Sequence, residues 1–177
     1  MKPDAGGFTL IELLVTIAVA AILLTIGVPS FQELFTRNRV ASVTNDFLTA
    51  LNYARSEAVK NSLTTTICMS NNQTSCAGSG AWGSGWIIWV DRTGTGTFNA
   101  NYIVRVHGPI NAGDTTIGGG TQTAFSFNSQ GALTSPTGGD TVYVCSSSEP
   151  SLSRQVVVGA SGLVVSQAPT TALSTCP

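Results

Sequence analysis

Charged residues are scarce in this sequence, and most of them lie in its first third. Only 10% of the 177 residues are Asp, Glu, Lys or Arg, against about 25% in an average soluble domain. The 8 basic and 9 acidic side chains nearly cancel, so no net field attracts nucleic acid or an anionic membrane surface. Long disordered and collagen-like chains are excluded as well, because the apolar content is high and the glycines follow no three-residue period.

Residues suited to catalysis or metal binding are also few. Nucleophilic catalysis needs a base near a serine or cysteine, and the only imidazole is that of His107, within a predicted strand. Residues 78–83 match G-x-G-x-x-G but precede a strand, whereas a dinucleotide site requires this pattern between a strand and a helix. Residues 91–96 offer one carboxylate and two hydroxyls, a poor ligand set for calcium. We therefore predict no enzymatic activity and no catalytic, cofactor-binding or metal site.

One long apolar run, residues 8–28, contains a single charged residue, Glu12. A helix of this length spans about 30 Å, the thickness of the hydrocarbon core of a bilayer. The alternative is a secretory signal peptide, which has a shorter apolar region followed by a small-x-small cleavage site. Ala18-Val19-Ala20 supplies such a triplet only inside the run, so we favour a retained membrane-spanning helix.

Glu12 is costly in such a segment, because an acidic side chain within a bilayer needs a partner. One interpretation is that Glu12 lies near the membrane edge and reaches headgroup water. The other is that a cation within a protein assembly neutralises it.

The residues around Glu12 resemble a known signal. Gly7-Phe8-Thr9-Leu10-Ile11-Glu12, followed by the apolar run and Pro29, is similar to the class III signal of type IV prepilins and type II secretion pseudopilins. The resemblance implies that residues 1–7 form a leader, that a prepilin peptidase cuts after Gly7, and that Phe8 is then methylated. It also implies that Glu12 pairs with the amino terminus of a neighbouring subunit during assembly.

A second helical pattern follows Pro29. Apolar residues recur at steps of three and four, which predicts one face of an amphipathic helix that holds a folded domain. These residues are Val40, Val43, Phe47, Leu51, Ala54 and Ala58. We predict one long helix from Phe8 to about Lys60, bent near Pro29 because proline removes a helical hydrogen bond, with helical order ending near Asn61.

The period changes to two beyond residue 62, where β-branched and aromatic residues predict short strands separated by Gly, Asn, Ser and Pro. The predicted strands are residues 63–69, 86–91, 102–107, 123–127, 141–146, 154–158 and 163–166. We expect an antiparallel sheet or small sandwich, with most of Trp82, Trp86 and Trp89 in the core rather than in a nucleic-acid stacking platform. Residues 118–120 and the neighbouring threonines predict a mobile loop.

Four cysteines lie in this β-rich part, Cys68, Cys76, Cys145 and Cys176. The anchor would place them across the membrane from the cytoplasm, where disulfides persist, and four cysteines allow three pairings. We prefer Cys68 with Cys76, closing a short loop, and Cys145 with Cys176, tying the carboxy-terminal tail to a strand. The rival is a metal site, although the spacings fit no zinc pattern.

The order of phrases from residue 53 onward carries a further resemblance. Three phrases in this order, followed by a late cysteine, are similar to the minor pilin and pseudopilin branch called the FimT/GspH family. The phrases are Tyr53-Ala54-Arg55-Ser56-Glu57-Ala58, Gly85-Trp86-x-x-Trp89-x-Asp91 and Phe127-Asn128-Ser129-Gln130-Gly131. Some members of that branch bind DNA through a carboxy-terminal Gly-Arg-x-Arg phrase. The matching place here reads Gly162-Leu163-Val164-Val165, so DNA is not an expected partner.

Together these features predict a pilin-like α+β fold, a long amino-terminal helix packed on an antiparallel β domain. The expected divisions are a leader at 1–7, a transmembrane and filament-core helix at 8–28, its amphipathic continuation at 29–61, and an extracytoplasmic domain at 62–177.

The resemblance implies a minor pilin of a type IV pilus, acting in assembly priming or a tip complex. Implied partners are the prepilin peptidase, other major and minor pilins or pseudopilins, the inner-membrane assembly platform and, before assembly, the lipid bilayer. The implied location is the inner membrane, with a periplasmic domain, and then the filament. The alternatives are a type II secretion pseudopilin and a DNA-binding pilus subunit for natural transformation.

Overall fold

The computed structural model describes residues 7–110, 113–171, 173 and 175–176, with backbone alone for 26–30. One helix, α1 (Leu10–Asn61), opens the chain. The chain divides into two compact units, one ending at Phe35 and the other beginning at Thr36. Most of the predicted leader lies outside the described residues, as does the side chain of Pro29, at which the bend was predicted.

The first unit carries an apolar helical surface that nothing in it covers. Its large apolar side chains between residues 8 and 24 are 49–85% exposed. Among the side chains that the structure describes, no helical segment combines the length and the apolar character that crossing a bilayer requires.

The later part of α1 is amphipathic, as predicted. The six residues of the predicted stripe are at most 5% exposed, and Ala50 joins them. Arg39, Asp46 and Lys60 stay exposed on other faces. The apolar period of α1 therefore buries one face against the β-rich domain.

Five strands form an antiparallel sheet in the order β3-β2-β1-β5-β6. They are β1 (Thr65–Met69), β2 (Trp86–Val90), β3 (Ile103–His107), β5 (Ala124–Phe127) and β6 (Leu133–Ser135). Every residue of β1 and β2 is buried, because α1 covers one face of this sheet and loops cover the other. Cys68, Ile87 and Trp89 form a separate apolar cluster with Phe98 on the loop-covered face.

Four strands form a second antiparallel sheet in the order β4-β7-β8-β9. They are β4 (Thr115–Gly118), β7 (Asp140–Ser146), β8 (Arg154–Val158) and β9 (Val164–Gln167). Inward side chains such as Val144 and Val156 join those of the first sheet and of α1 in one core. The predicted α+β, pilin-like class is confirmed.

All seven predicted strands are present to within two residues at either end. Strands β4 and β6 were not predicted. Both are short edge strands: β4 has four residues and pairs with β7, which is distant in sequence, whereas β6 has three residues and pairs with β5 across a five-residue turn. The expectation of a mobile loop at 118–120 was wrong for Gly118, which pairs with Tyr143 at the end of β4.

Candidate processing and assembly site

The predicted cleavage position lies in non-helical, exposed chain immediately before α1. Phe8 is 85% exposed, and a side-chain carbon built on Gly7 would meet no atom within 4 Å. Thr9 caps the helix, since its Oγ1 accepts a hydrogen bond from the Glu12 amide at 3.3 Å and its carbonyl accepts from the Leu13 amide at 3.2 Å. The peptide bond between Gly7 and Phe8 therefore stands outside the helical hydrogen bonding that would hinder a peptidase.

Glu12 occupies the first turn of α1, where the partial positive charge of a helix amino terminus favours a carboxylate. It is exposed, and so are its apolar neighbours Leu10 (77%) and Ile11 (65%). A carboxylate on an otherwise apolar helix surface is suited to pair with a cation brought by another molecule.

The apolar surface continues beyond the proposed membrane segment. Phe31, Leu34 and Phe35 are 50–62% exposed, whereas the next buried position, Thr36, begins the second unit. Exposed apolar area of this extent on a soluble protein marks a contact surface for lipid or protein.

Two of the sequence phrases that carry the second resemblance, the one on α1 and the one after β5, meet at one junction. Arg55 Nε on α1 donates to the carbonyl oxygen of Gly131 at 2.9 Å. The turn that presents this carbonyl is held by Asn128, whose Oδ1 accepts from the amides of Gln130 at 2.9 Å and Ala132 at 3.0 Å. Arg55 thereby joins the helix to the turn between β5 and β6.

The turn between β8 and β9 reaches the same junction from the other sheet. Gly162 has φ +78°, and a side-chain carbon there would collide with the carbonyl oxygen of Gly131. The amide of Leu133 donates to the carbonyl oxygen of Ala160 at 3.1 Å. These phrases are therefore the structural joint between α1 and the two sheets.

The tryptophan phrase has a packing role. Trp86 is 1% exposed, lies 5.4 Å from the ring of Phe47 and stacks on His107 at 4.0 Å. Trp82 is fully buried and Trp89 is 5% exposed, so the preference for core packing over a stacking platform is confirmed.

Asp91 organises the turn that follows β2. Its carboxylate accepts hydrogen bonds from the amides of Gly96 at 2.7 Å, Gly94 at 2.9 Å and Thr93 at 3.2 Å. The Gly96 amide is the main reason that the pKa of Asp91 lies below its usual value. Since both carboxylate oxygens are used by the turn itself, the geometry favours a structural turn over a cation site.

Sequence reasoning missed a second carboxylate, Asp114. It accepts from the hydroxyl groups of Ser146, at 2.5 Å, and Ser148, and pairs with Arg39 of α1 at 3.1 Å. The serine hydroxyls hold the pKa of Asp114 well below its usual value. The only signal in the sequence was an isolated charge in a nearly neutral region.

Both preferred cysteine pairs are present as disulfides. The Cα atoms of Cys68 and Cys76 are 5.5 Å apart, and those of Cys145 and Cys176 are 5.9 Å apart. The first closes the loop after β1 and the second ties the tail to β7. Among the described residues, no group of three His, Cys, Asp or Glu side chains is placed to hold a metal ion.

The chain combines an exposed apolar helix segment, with a glutamate in its first turn, and a disulfide-bonded β domain on which the second half of α1 packs. This combination defines a subunit of the pilin class. Residues 43–162, more than half of the chain, match the family described as type II transport protein GspH. The chain belongs to the GspH family. Residues 2–28 match the prokaryotic N-terminal methylation motif.

Solved structures show the same fold. The crystal structure of the type IV minor pilin FimU of Pseudomonas aeruginosa matches with TM-score 0.60 and 22% identity, over 80% of this chain and 97% of that chain. A second crystal form of FimU matches with TM-score 0.58 and 21% identity, over 77% and 99%. No curated protein sequence matches the chain at a significant level. The family and the motif make this chain a minor pilin or pseudopilin.

Proposed function

We propose that the chain is a minor subunit of a type IV pilus, made as a precursor and cut by a prepilin peptidase between Gly7 and Phe8. Residues 1–7 are then the leader, and the new amino terminus at Phe8 is methylated. The observation that carries the proposal is the exposed, non-helical Gly7 and Phe8 directly before a capped helix with Glu12 in its first turn. The methylation motif over residues 2–28 supports it.

In this proposal α1 acts twice. Residues 8–28 hold the precursor in the inner membrane, with residues 29–61 continuing the helix and residues 62–177 forming a periplasmic domain. On assembly the exposed apolar side chains exchange lipid for the helices of other pilins, and Glu12 pairs with the amino terminus of a neighbour. The inner-membrane assembly platform performs the transfer into the filament.

The experiment compares intact mass and amino-terminal sequence of the protein from cells with and without prepilin peptidase. We expect a chain that begins at Phe8 with one added methyl group only when the peptidase is present. A Gly7→Val variant should keep its leader, while a Gly6→Val variant serves as the matched control and should be cut. A mature chain that begins elsewhere, or a cut that survives Gly7→Val, would refute the proposal.

A type II secretion pseudopilus is the second candidate, favoured by the description of the matched family as a type II transport protein. Deletion of the gene distinguishes the two. Deletion of a pilus subunit is expected to reduce surface filaments and to leave exoprotein secretion intact. Deletion of a pseudopilin is expected to have the opposite effect.

DNA binding is not proposed. Leu163 and Val165, at the positions where the DNA-binding members carry arginines, are uncharged and exposed by 56% and 38%. Much of the affinity for DNA comes from neutralisation of its phosphates by Lys and Arg side chains. A salt-dependent shift of DNA by the full chain in detergent would contradict this expectation.

A further inference from the structure

An open cavity of about 330 Å³ lies within the second unit, and α1 and the chain that leads into β8 both line it. The described residues at its wall are Arg37, Ser151, Leu152, Ser153, Arg154 and Ala168. Two of these side chains are cationic, and no acidic side chain that the structure describes belongs to the wall. The cavity is therefore a local site of positive charge in a chain whose net charge is −1.

The two arginines of the cavity are distant in sequence and come together only in the folded domain. Arg37 lies on α1, and Arg154 begins β8. Arg154 is exposed, and its guanidinium group makes no hydrogen bond or ion pair with the part of the chain that the structure describes. Glu33 and Glu149, the acidic residues nearest to the two arginines in sequence, do not line the cavity. Two guanidinium groups at one cavity repel each other and attract an anion.

Hydroxyl groups add to the hydrogen-bond donors of the cavity. Ser153 is only 5% exposed, and its Oγ has no hydrogen-bond partner among the described residues. A buried hydroxyl without a partner is costly, so it favours a ligand that brings an acceptor. Ser151 places a second, exposed serine at the same wall. Because a guanidinium group presents a planar fork of N–H donors, the ligand that matches this set is a phosphate-type oxyanion.

The proposed anchor brings such a group close to the cavity. From residue 28, the last of the proposed membrane segment, to Arg37 an α-helix rises about 14 Å. The headgroup layer covers about 5–8 Å of that distance, and helical side chains lean toward the helix amino terminus, which here means toward the membrane. A long cationic side chain in this position reaches the headgroups. The phosphate of a phospholipid is therefore the oxyanion that the anchored subunit meets first.

We propose that this cavity binds the phosphate of an anionic phospholipid headgroup while the subunit is anchored in the membrane. Arg37 and Arg154 contact the phosphate oxygens, and the hydroxyl groups of Ser151 and Ser153 donate to the oxygens that remain. This inference rests on the proposed function, since the membrane anchor presents the headgroups to the cavity. Incorporation into a filament withdraws the lipid, so the contact belongs to the anchored state alone.

Native mass spectrometry of the full chain in a mild detergent measures the binding. The chain is mixed with equal amounts of phosphatidylglycerol and phosphatidylcholine, and each retained lipid is identified by its mass. Phosphatidylcholine has the same phosphate, but its choline cation cancels the charge. We expect phosphatidylglycerol to bind about tenfold more tightly or better.

Arginine variants locate the site. Arg37→Gln and Arg154→Gln should each remove the preference for phosphatidylglycerol. The matched control is Arg92→Gln, which removes an exposed arginine that does not line the cavity and should keep the preference. All three variants should keep the parent melting temperature. Equal retention of the two lipids by the parent, or an equal loss of preference in Arg92→Gln, would overturn the inference.

Inorganic phosphate in excess distinguishes a lipid headgroup from a free ion. We expect phosphatidylglycerol to stay bound, because its acyl chains in the micelle keep its phosphate beside the cavity at a high effective concentration. Displacement of the lipid together with a phosphate adduct on the chain would assign the cavity to free phosphate and would also overturn the inference.

The protein mass in the same spectra separates this inference from the proposed function. Chains that begin at methylated Phe8 but show no preference for phosphatidylglycerol contradict the headgroup site alone. Chains that keep their leader in cells with prepilin peptidase contradict the proposed function itself.

Discussion

Gly162 illustrates how much a single residue can contribute at the junction of α1 and the two sheets. Any side-chain carbon at this position would meet the Gly131 carbonyl that Arg55 binds, and its φ of +78° is unfavourable for other residues. We predict that Gly162→Ala lowers the free energy of unfolding by about 2–4 kcal/mol. Urea denaturation of the full chain in a mild detergent measures the loss.

Gly94→Ala is the matched control for this substitution. Gly94 has φ +67° but open space around its Cα, so the change should cost about 1 kcal/mol from backbone strain alone. Equal losses in the two variants would show that the approach of Gly162 to Gly131 contributes nothing.

Asp91 gives a pH prediction whose sign follows from its turn. The amide groups of Gly96, Thr93 and Gly94 and the Thr93 hydroxyl lower its pKa in the folded state, and the side chain is buried. The contribution of Asp91 to the free energy of unfolding is therefore complete above the pKa of an unfolded Asp, about 3.9. It is lost as the pH falls from there through the lower pKa of the folded state. We expect Asp91→Asn to destabilise by about 1.5–3 kcal/mol at pH 7.

The difference between parent and Asp91→Asn should shrink as the unfolding measurements move from pH 7 toward pH 2. Asp46→Asn, on the exposed face of α1, provides the control and should leave the acid dependence close to that of the parent. A difference between parent and Asp91→Asn that stays constant across this range would refute the assigned role of the carboxylate.

At the residue scale, the sequence singled out individual residues but did not predict which of them would be in contact. Arg55 and Gly131 stood in separate phrases of the resemblance, and their hydrogen bond joins positions 76 residues apart. Asp114 was missed because Arg39 and Ser146 are 75 and 32 residues away. Only folding brings such partners together, since none of them forms a local pattern.

At the scale of elements, the Cys145–Cys176 disulfide holds the tail after β9 against β7. It joins positions 31 apart in the sequence, and closing a loop of that length stabilises a fold by about 3–4 kcal/mol in the chain-entropy model. We predict a loss of this size for Cys176→Ser, measured by urea denaturation without reductant. Cys68→Ala/Cys76→Ala, which opens a loop of separation 8, should lose about 1 kcal/mol less from loop entropy.

Addition of a strong reductant provides the control for Cys176→Ser. Because the reductant also opens Cys68–Cys76, parent and variant are compared with both in reductant, where they should unfold together. If the parent and the variant already unfold together under oxidising conditions, the tail disulfide does not stabilise the domain.

Periodicity predicted the elements whose apolar pattern is local. The stripe from Val40 to Ala58 specifies its own buried face, and strands such as β8 are rich in β-branched residues. Strand β4 is also rich in β-branched residues, but it has only four residues, it ends in a run of glycines, and its strand form depends on hydrogen bonds to the distant β7. The alternation rule also fails for β1 and β2, whose two faces are both buried.

At the scale of the whole molecule, the folded chain leaves many apolar side chains uncovered. The second unit has a closed core, whereas the first exposes its apolar side chains along the helix. Apolar area of this kind is stable in water only when lipid or protein covers it. The proposed function accounts for this surface, since it places lipid against these side chains before assembly and the helices of other pilins afterwards.

Glu12 supplies the last prediction, which separates processing from assembly. The carboxylate lies four residues after Phe8 and is exposed in the first turn of α1, so its removal leaves the cleavage position and the Thr9 cap in place. Glu12→Gln keeps the size of the side chain but loses the charge that would pair with the amino terminus of a neighbour. We expect normal cleavage and methylation at Phe8, with the protein retained in the membrane fraction.

The measurement compares the amount of Glu12→Gln protein in sheared filaments with the amount in membranes. Loss of an ion pair in an apolar surrounding corresponds to at least about tenfold less incorporation, and Glu12→Asp should recover part of it because the charge returns on a shorter side chain. Thr16→Val, one turn further along the same exposed helix, is the control and should incorporate normally. Normal incorporation of Glu12→Gln would show that the carboxylate is not the group that joins this subunit to its neighbour.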